Sequence, residues 1–111
     1  MNDFGVYIAD TRKKMGLSQK DLASRILKED GTPISLQYLN DIEHGRRNPP
    51  PAAYINQLAT QLSVSKAYLS ILARQLPQEI LDLETAELKP SAVEEGIRAF
   101  RRVIEKKNDS R

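Results

Sequence analysis

Residues 17–45, LSQKDLASRILKEDGTPISLQYLNDIEHG, limit what this chain can fold into more than any other stretch. Ser18 can cap a helix, and Asp21 three positions on can return a bond, which makes an S-x-x-D capping pair. Leu22, Ala23 and Ile26 then supply an inward face at helical spacing. Gly31, Thr32 and Pro33 interrupt that pattern. A second short helix is expected from Ser35, with Leu39 and Ile42 inward and Gly45 ending it in a left-handed cap. Two short helices joined by a turn, the second with a polar outer face, predict a helix-turn-helix.

The flanking segments also read as helices. Phe4 to Met15 forms a first one, with Val6, Ile8, Ala9, Arg12 and Met15 on its inner surface and Gly16 as its stop. After the central motif, Gly45 to Pro51 is a loop of cations and breakers, stiffened by three consecutive prolines. Pro51 can open a fourth helix that carries Ile55, Leu58, Ala59 and Leu62 at i, i+3, i+4 and i+7. Ser63 or Ser65 then caps a fifth, with Ala67, Tyr68, Leu69, Ile71 and Leu72.

From Gln75 the character changes. LPQEILDLETAELKP holds one amphipathic turn (Ile80, Leu81, Leu83) among acids, then Pro90. Ser91 and Glu94 predict a second capping box, opening a helix to about Lys107. On it Val93, Ile97, Phe100 and Ile104 recur at intervals of four, three and four, a narrow seam suited to pairing between helices. Its own domain, a second copy or another protein could cover that seam.

Composition removes several function classes. The chain has 111 residues, no Cys and a single His, so a disulfide scaffold or a metal cluster is not expected. His44 reads as an exposed or helix-end imidazole. No apolar run approaches the roughly 20 residues of a membrane span, and no basic-then-apolar leader pattern opens the chain. A cytoplasmic protein without membrane contact is expected. No G-x-S-x-G, H-E-x-x-H, Walker loop or G-x-G-x-x-G occurs, so neither an enzyme nor a bound cofactor is expected. Net charge is +2, but residues 1–75 hold ten Lys and Arg against seven Asp and Glu. That surplus suits phosphate contact and is too small to establish it.

Three blocks, GLSQKDLA, YLNDIEHGRRNP and INQLATQLSV, resemble the DNA-binding domain of the phage lambda repressor and Cro group, often called Xre-like. The resemblance covers Val6 to Leu72. The helical readings above predict an all-α protein; the resemblance implies a five-helix lambda-repressor-like DNA-binding domain, taken as residues 1–75, and the change of character at Gln75 adds a C-terminal helical extension over 76–111. One departure stands out: the family usually has a single Gly between the positions of Ile26 and Ile34, where this chain has LKEDGTP. The turn is therefore longer, and the resemblance does not fix the angle between the two helices.

The resemblance also implies roles. Leu36, Gln37 and Asp41 match base-reading positions, within an outward set of Ser35, Leu36, Gln37, Tyr38, Asn40 and Asp41. Gln37 could bond adenine at N6 and N7 or turn its amide to guanine, and Leu36 could meet a thymine methyl. Asp41 could accept from cytosine N4 or discriminate by repulsion. Gln19 matches a phosphate contact at a helix start, where unpaired N–H groups favour an anion. Arg46, Arg47 and Asn48 match a backbone-contacting loop, although a merely solvated basic loop reads the same way. Arg12 and Glu43 match a structural ion pair, the alternative being an ordinary surface Arg. The expected function is a transcriptional regulator, a repressor that binds double-stranded DNA as a homodimer on an inverted repeat. The alternative is a protein-binding regulator, such as an antitoxin, that grips a partner protein through the C-terminal helix.

Overall fold

A computed structural model describes residues 3–109. Among them are seven α-helices, one 3-10 turn and no strand. They are α1 (Asp3–Lys14), α2 (Gln19–Ser24), α3 (Leu36–Glu43), α4 (Ala52–Leu62), α5 (Lys66–Leu72), α6 (Gln78–Leu81) and α7 (Pro90–Asp109), with the 3-10 turn at Thr85–Glu87. The chain divides into two compact units, one ending at Leu81 and one beginning at Asp82.

The first unit is built on caps that the sequence encodes locally. Ser18 Oγ accepts from the Asp21 N–H at 2.9 Å and Asp21 accepts from the Ser18 N–H at 3.2 Å, so the capping box at α2 forms. Those bonds hold the Asp21 carboxyl below its ordinary range. Ser35 caps α3 and Ser65 caps α5, each accepting from the third following N–H at 3.0 Å. Ser63 instead closes α4 in the left-handed region. Gly45 ends α3 with φ 70°, and the Arg46 N–H reaches the Asp41 carbonyl at 2.8 Å. That 6→1 bond makes a Schellman motif, the sharp stop that turns the basic loop away from the helix.

Leu22, Ile26, Leu39, Ile55, Leu58 and Leu69 are fully buried and meet at the centre of this unit. Each contributes roughly 1.5–3 kcal/mol by leaving water. The first helix buries Phe4, Gly5, Ile8 and Arg12, whereas Val6 and Met15 stand outside. Val6 and Ile8 lie about 200° apart around a helix, so one face cannot hold both. On α5 the buried pair is Leu69 and Ser70, with Tyr68 and Ile71 exposed. Tyr68 instead packs edge-on against Tyr7, with ring centroids 5.1 Å apart.

The long turn between α2 and α3 is looped out of the frame. Ile26 and Ile34 are both buried, and the Ile34 N–H donates to the Ile26 carbonyl at 2.9 Å. Between them Leu27 and Pro33 form an isolated antiparallel bridge, and the Lys28 N–H donates to the Thr32 carbonyl at 2.8 Å. Asp30 closes the tip by accepting from both the hydroxyl and the N–H of Thr32, which lowers its pKa. From α4, the Gln57 amide accepts from the Leu27 N–H at 2.7 Å and donates to the Leu27 carbonyl at 2.9 Å. The extra residues thus form a small pinched loop, and both ends of the insertion stay in the core.

In the second unit α7 begins at Pro90, not at a Ser91 cap. Proline suits the first helical turn because its missing N–H would have had no acceptor there. The expected Ser91–Glu94 capping box therefore gives way, with Ser91 already helical. Val93, Ile97, Phe100 and Ile104 are all exposed along this helix, and Val103 joins them.

Candidate nucleic-acid interface

The face that α3 presents follows from its helical phase. Leu39, Ile42 and Glu43 point inward and are buried. Gln37 and Asp41, one turn apart, lie opposite Leu39 and point outward. At the start of the helix Ser35, Leu36 and Gln37 are exposed, with Leu36 half open to solvent. The Ser35 hydroxyl is engaged as the cap, accepting from the Tyr38 N–H, and keeps its own hydrogen to donate.

Tyr38 and Asn40 lie about 100° to either side of Leu39, on the flanks of α3. The Tyr38 ring meets Tyr54 of α4 edge-on at 6.1 Å, and the Arg47 guanidinium lies 4.9 Å from its centroid. Partial burial raises the pKa of this phenol. Asn40 turns to the other flank, where its Oδ1 accepts from Gln19 Nε2 at 3.1 Å. The structure therefore separates these two side chains from the outward set, because a helix cannot point six of seven successive positions one way.

Beneath α3, Arg12 and Glu43 are each less than a tenth exposed. Arg12 Nε donates to Glu43 Oε2 at 2.8 Å and Nη2 to Oε1 at 2.9 Å, a bidentate pair. Nη1 donates to the Leu17 carbonyl at 2.9 Å. The bond to Glu43 raises the Arg12 pKa further, so this guanidinium stays charged. Gln19 Nε2 also donates to Glu43 Oε1 at 2.9 Å. Its amide nitrogen is thus committed inward, to Glu43 and Asn40.

Asp41 is the electrostatic centre of the outer edge. Its carboxylate accepts from Gln37 Nε2 at 2.8 Å, with Arg46 at 3.5 Å and Arg47 at 3.8 Å. Both guanidiniums remain more than half exposed, and Asn48 is exposed beside them. The loop that carries them is anchored at its far end by buried Pro50, whose carbonyl accepts from Gln75 Nε2 at 2.9 Å. Neither that clamp nor the Tyr38–Tyr54–Arg47 stack could be read from local spacing, since each joins residues far apart in the chain. Among the described residues no His, Cys, Asp and Glu cluster could hold a metal ion, and no helix is long and apolar enough to cross a membrane.

A family model described as Helix-turn-helix matches residues 8–69, more than half of the chain. No curated protein and no solved structure matches it. The matched span runs from the buried Ile8 of α1 to the buried Leu69 of α5 and contains α2, α3 and the basic loop. The chain belongs to the Xre, or lambda repressor, type of helix-turn-helix family and is a DNA-binding transcriptional regulator.

Proposed function

We propose that this protein is a repressor that binds an inverted-repeat operator as a dimer, with α3 of each copy in a major groove. The exposed edge of α3, held from beneath by Arg12 and Glu43, is the observation that carries this reading. A major groove admits one helix, and the first turns of that helix reach the base edges. Leu36 and Gln37, with the Ser35 hydroxyl, are the side chains suited to that work, and Asp41 stands against the Gln37 amide. Arg46, Arg47 and Asn48 then meet phosphates, joined by the backbone N–H of Gln19. Residues 1–75 act as the DNA-binding domain, and residues 76–111 hold two copies together.

The α7 seam supports self-association. A heptad register that places Val93 and Phe100 at d and Ile97 and Ile104 at a puts Glu94 and Arg101 at e. An antiparallel pair of such helices sets Glu94 of each copy against Arg101 of the other, twice by symmetry. Within the helix, a parallel pair would set Gly96 and Val103 against the e positions and gain no charge pair there. Two-fold pairing also matches a palindromic site.

The test is selection of bound duplexes from a random pool, followed by titration over several salt concentrations. An inverted repeat with half-sites about one helical turn apart is expected, with binding that weakens steeply as salt rises. Equal binding to all duplexes, or none, would refute the proposal. A chain that is monomeric alone and dimeric only with a second protein would transfer α7 to partner binding.

A further inference from the structure

The contact between Gln37 and Asp41 bears on which base the helix accepts. A primary amide offers one acceptor oxygen and two N–H donors in one plane. Adenine in the major groove presents one donor, N6, and one acceptor, N7; guanine presents two acceptors, O6 and N7. A free glutamine can therefore serve either base. Gln37 is not free: Nε2 donates to Asp41 Oδ1 at 2.8 Å. With one N–H held there, a single donor and the carbonyl oxygen are left, which is the complement of adenine.

Guanine would require both N–H groups of Gln37, so the Asp41 carboxylate would lose its donor. That carboxylate would also stand near two further acceptors, an added repulsion. The guanidinium contacts of Asp41 are of a different kind. At 3.5 and 3.8 Å they are longer than the amide bond, and the guanidiniums are more than half exposed where the Asp41 side chain is 18% exposed. Arg46 and Arg47 can leave for phosphates while the shorter amide bond stays.

We propose that Asp41 is a positioning residue that sets the Gln37 amide for adenine and against guanine. The inference rests on α3 reading the major groove, as proposed above. Asp41→Ala removes the acceptor. Asp41→Asn keeps the shape and one acceptor oxygen but loses the charge, and its NH2 can donate to the Gln37 oxygen instead, so the Gln37 amide is no longer held one way round. Both variants should relax the choice of base at the position that Gln37 reads.

The experiment is random-pool selection with the full chain, then competition titration of single-base operator variants. The wild type should prefer adenine over guanine by about tenfold at one position in each half-site, the position that Gln37→Ala relaxes. In Asp41→Ala and Asp41→Asn that ratio should fall to within about threefold, with preferences at the other positions kept. In a Gln37→Ala background, Asp41→Ala should change the ratio no further, because the two act through one contact. An unchanged ratio in the Asp41 variants, or guanine at the Gln37 position, overturns the inference and leaves groove reading intact. A selected operator at which Gln37→Ala alters no base does the same. A wild type with no base preference anywhere overturns both.

Discussion

Arg12, near the end of α1, and Glu43, the last residue of α3, grip each other through two parallel hydrogen bonds of 2.9 and 2.8 Å across 31 positions of sequence. The same guanidinium holds the Leu17 carbonyl just before α2, and the same carboxylate accepts from Gln19 within it. One buried pair therefore ties together all three helices that a groove-reading unit must keep in register. Arginine suits this place better than lysine because its planar fork satisfies the carboxylate and the carbonyl at once.

Removing one partner leaves the other buried and uncompensated. Arg12→Ala and Glu43→Ala should each destabilise the protein by roughly 3–5 kcal/mol. Arg12→Lys should also cost stability, since an ammonium cannot span the same three acceptors. Thermal and urea unfolding measure all three. Losses within about 0.5 kcal/mol for the alanine variants would mean that the pair behaves as a surface contact.

Phosphate contact and base reading should separate in the binding data. Arg46→Ala with Arg47→Ala should weaken every duplex alike and reduce the salt slope by about 1 for each lost contact. Gln37→Ala should instead cost on the order of 1–3 kcal/mol at one base position and leave the slope alone. Titrations of operator and random duplex at several salt concentrations decide between these patterns. Two variants with the same pattern would dissolve the division of roles.

The helices and their caps were legible because they are local. Ser18 with Asp21, Ser35, Gly16 and Gly45 act within a few residues of themselves, and the Ile55–Leu62 stripe needs only a period of 3.6. The Arg12–Glu43 geometry was reachable through family resemblance alone, since nothing in the spacing of a charged pair 31 positions apart announces it. Other features escaped. Tyr38 and Asn40 lie on the flanks that inward Leu39 and Ile42 already define, and their contacts with Tyr54 and Gln19 join residues far apart in the chain. The expected inner face of α1 joined Val6 and Met15 to the buried Ile8 and Arg12, a set too wide for one face of a helix with 3.6 residues per turn. The path of the inserted turn depends on Gln57, thirty residues away from Leu27.

That last contact invites its own test. Gln57→Ala removes two hydrogen bonds to the Leu27 backbone and should destabilise by about 1–2 kcal/mol. Amide exchange at Leu27 should speed up more than that at Leu39, which lies in the core and has no part in the clamp. An effect below about 0.3 kcal/mol would mean that the Ile26–Ile34 bond and the Asp30–Thr32 tip hold the loop unaided.

The α7 pairing can be tested by charge rather than by truncation, which keeps the fold whole. Its apolar side chains stand exposed on a 20-residue helix, and Phe100 is 57% open to solvent. A helix of that kind is marginal in water unless its seam is covered. Phe100→Asp should therefore shift the chain toward monomer, with operator affinity falling as the second half-site is lost. Direction follows from Glu94 and Arg101. Reversing one alone, Glu94→Arg, sets like charges against each other twice in an antiparallel pair and should weaken self-association several-fold. Reversing both, Glu94→Arg with Arg101→Glu, restores the opposite signs and should restore the dimer. Sedimentation at micromolar concentration measures each species. If the single reversal leaves association unchanged while Phe100→Asp abolishes it, the helices pair in parallel. If neither variant moves the equilibrium, the seam serves another surface, and the dimer contact lies within the first five helices.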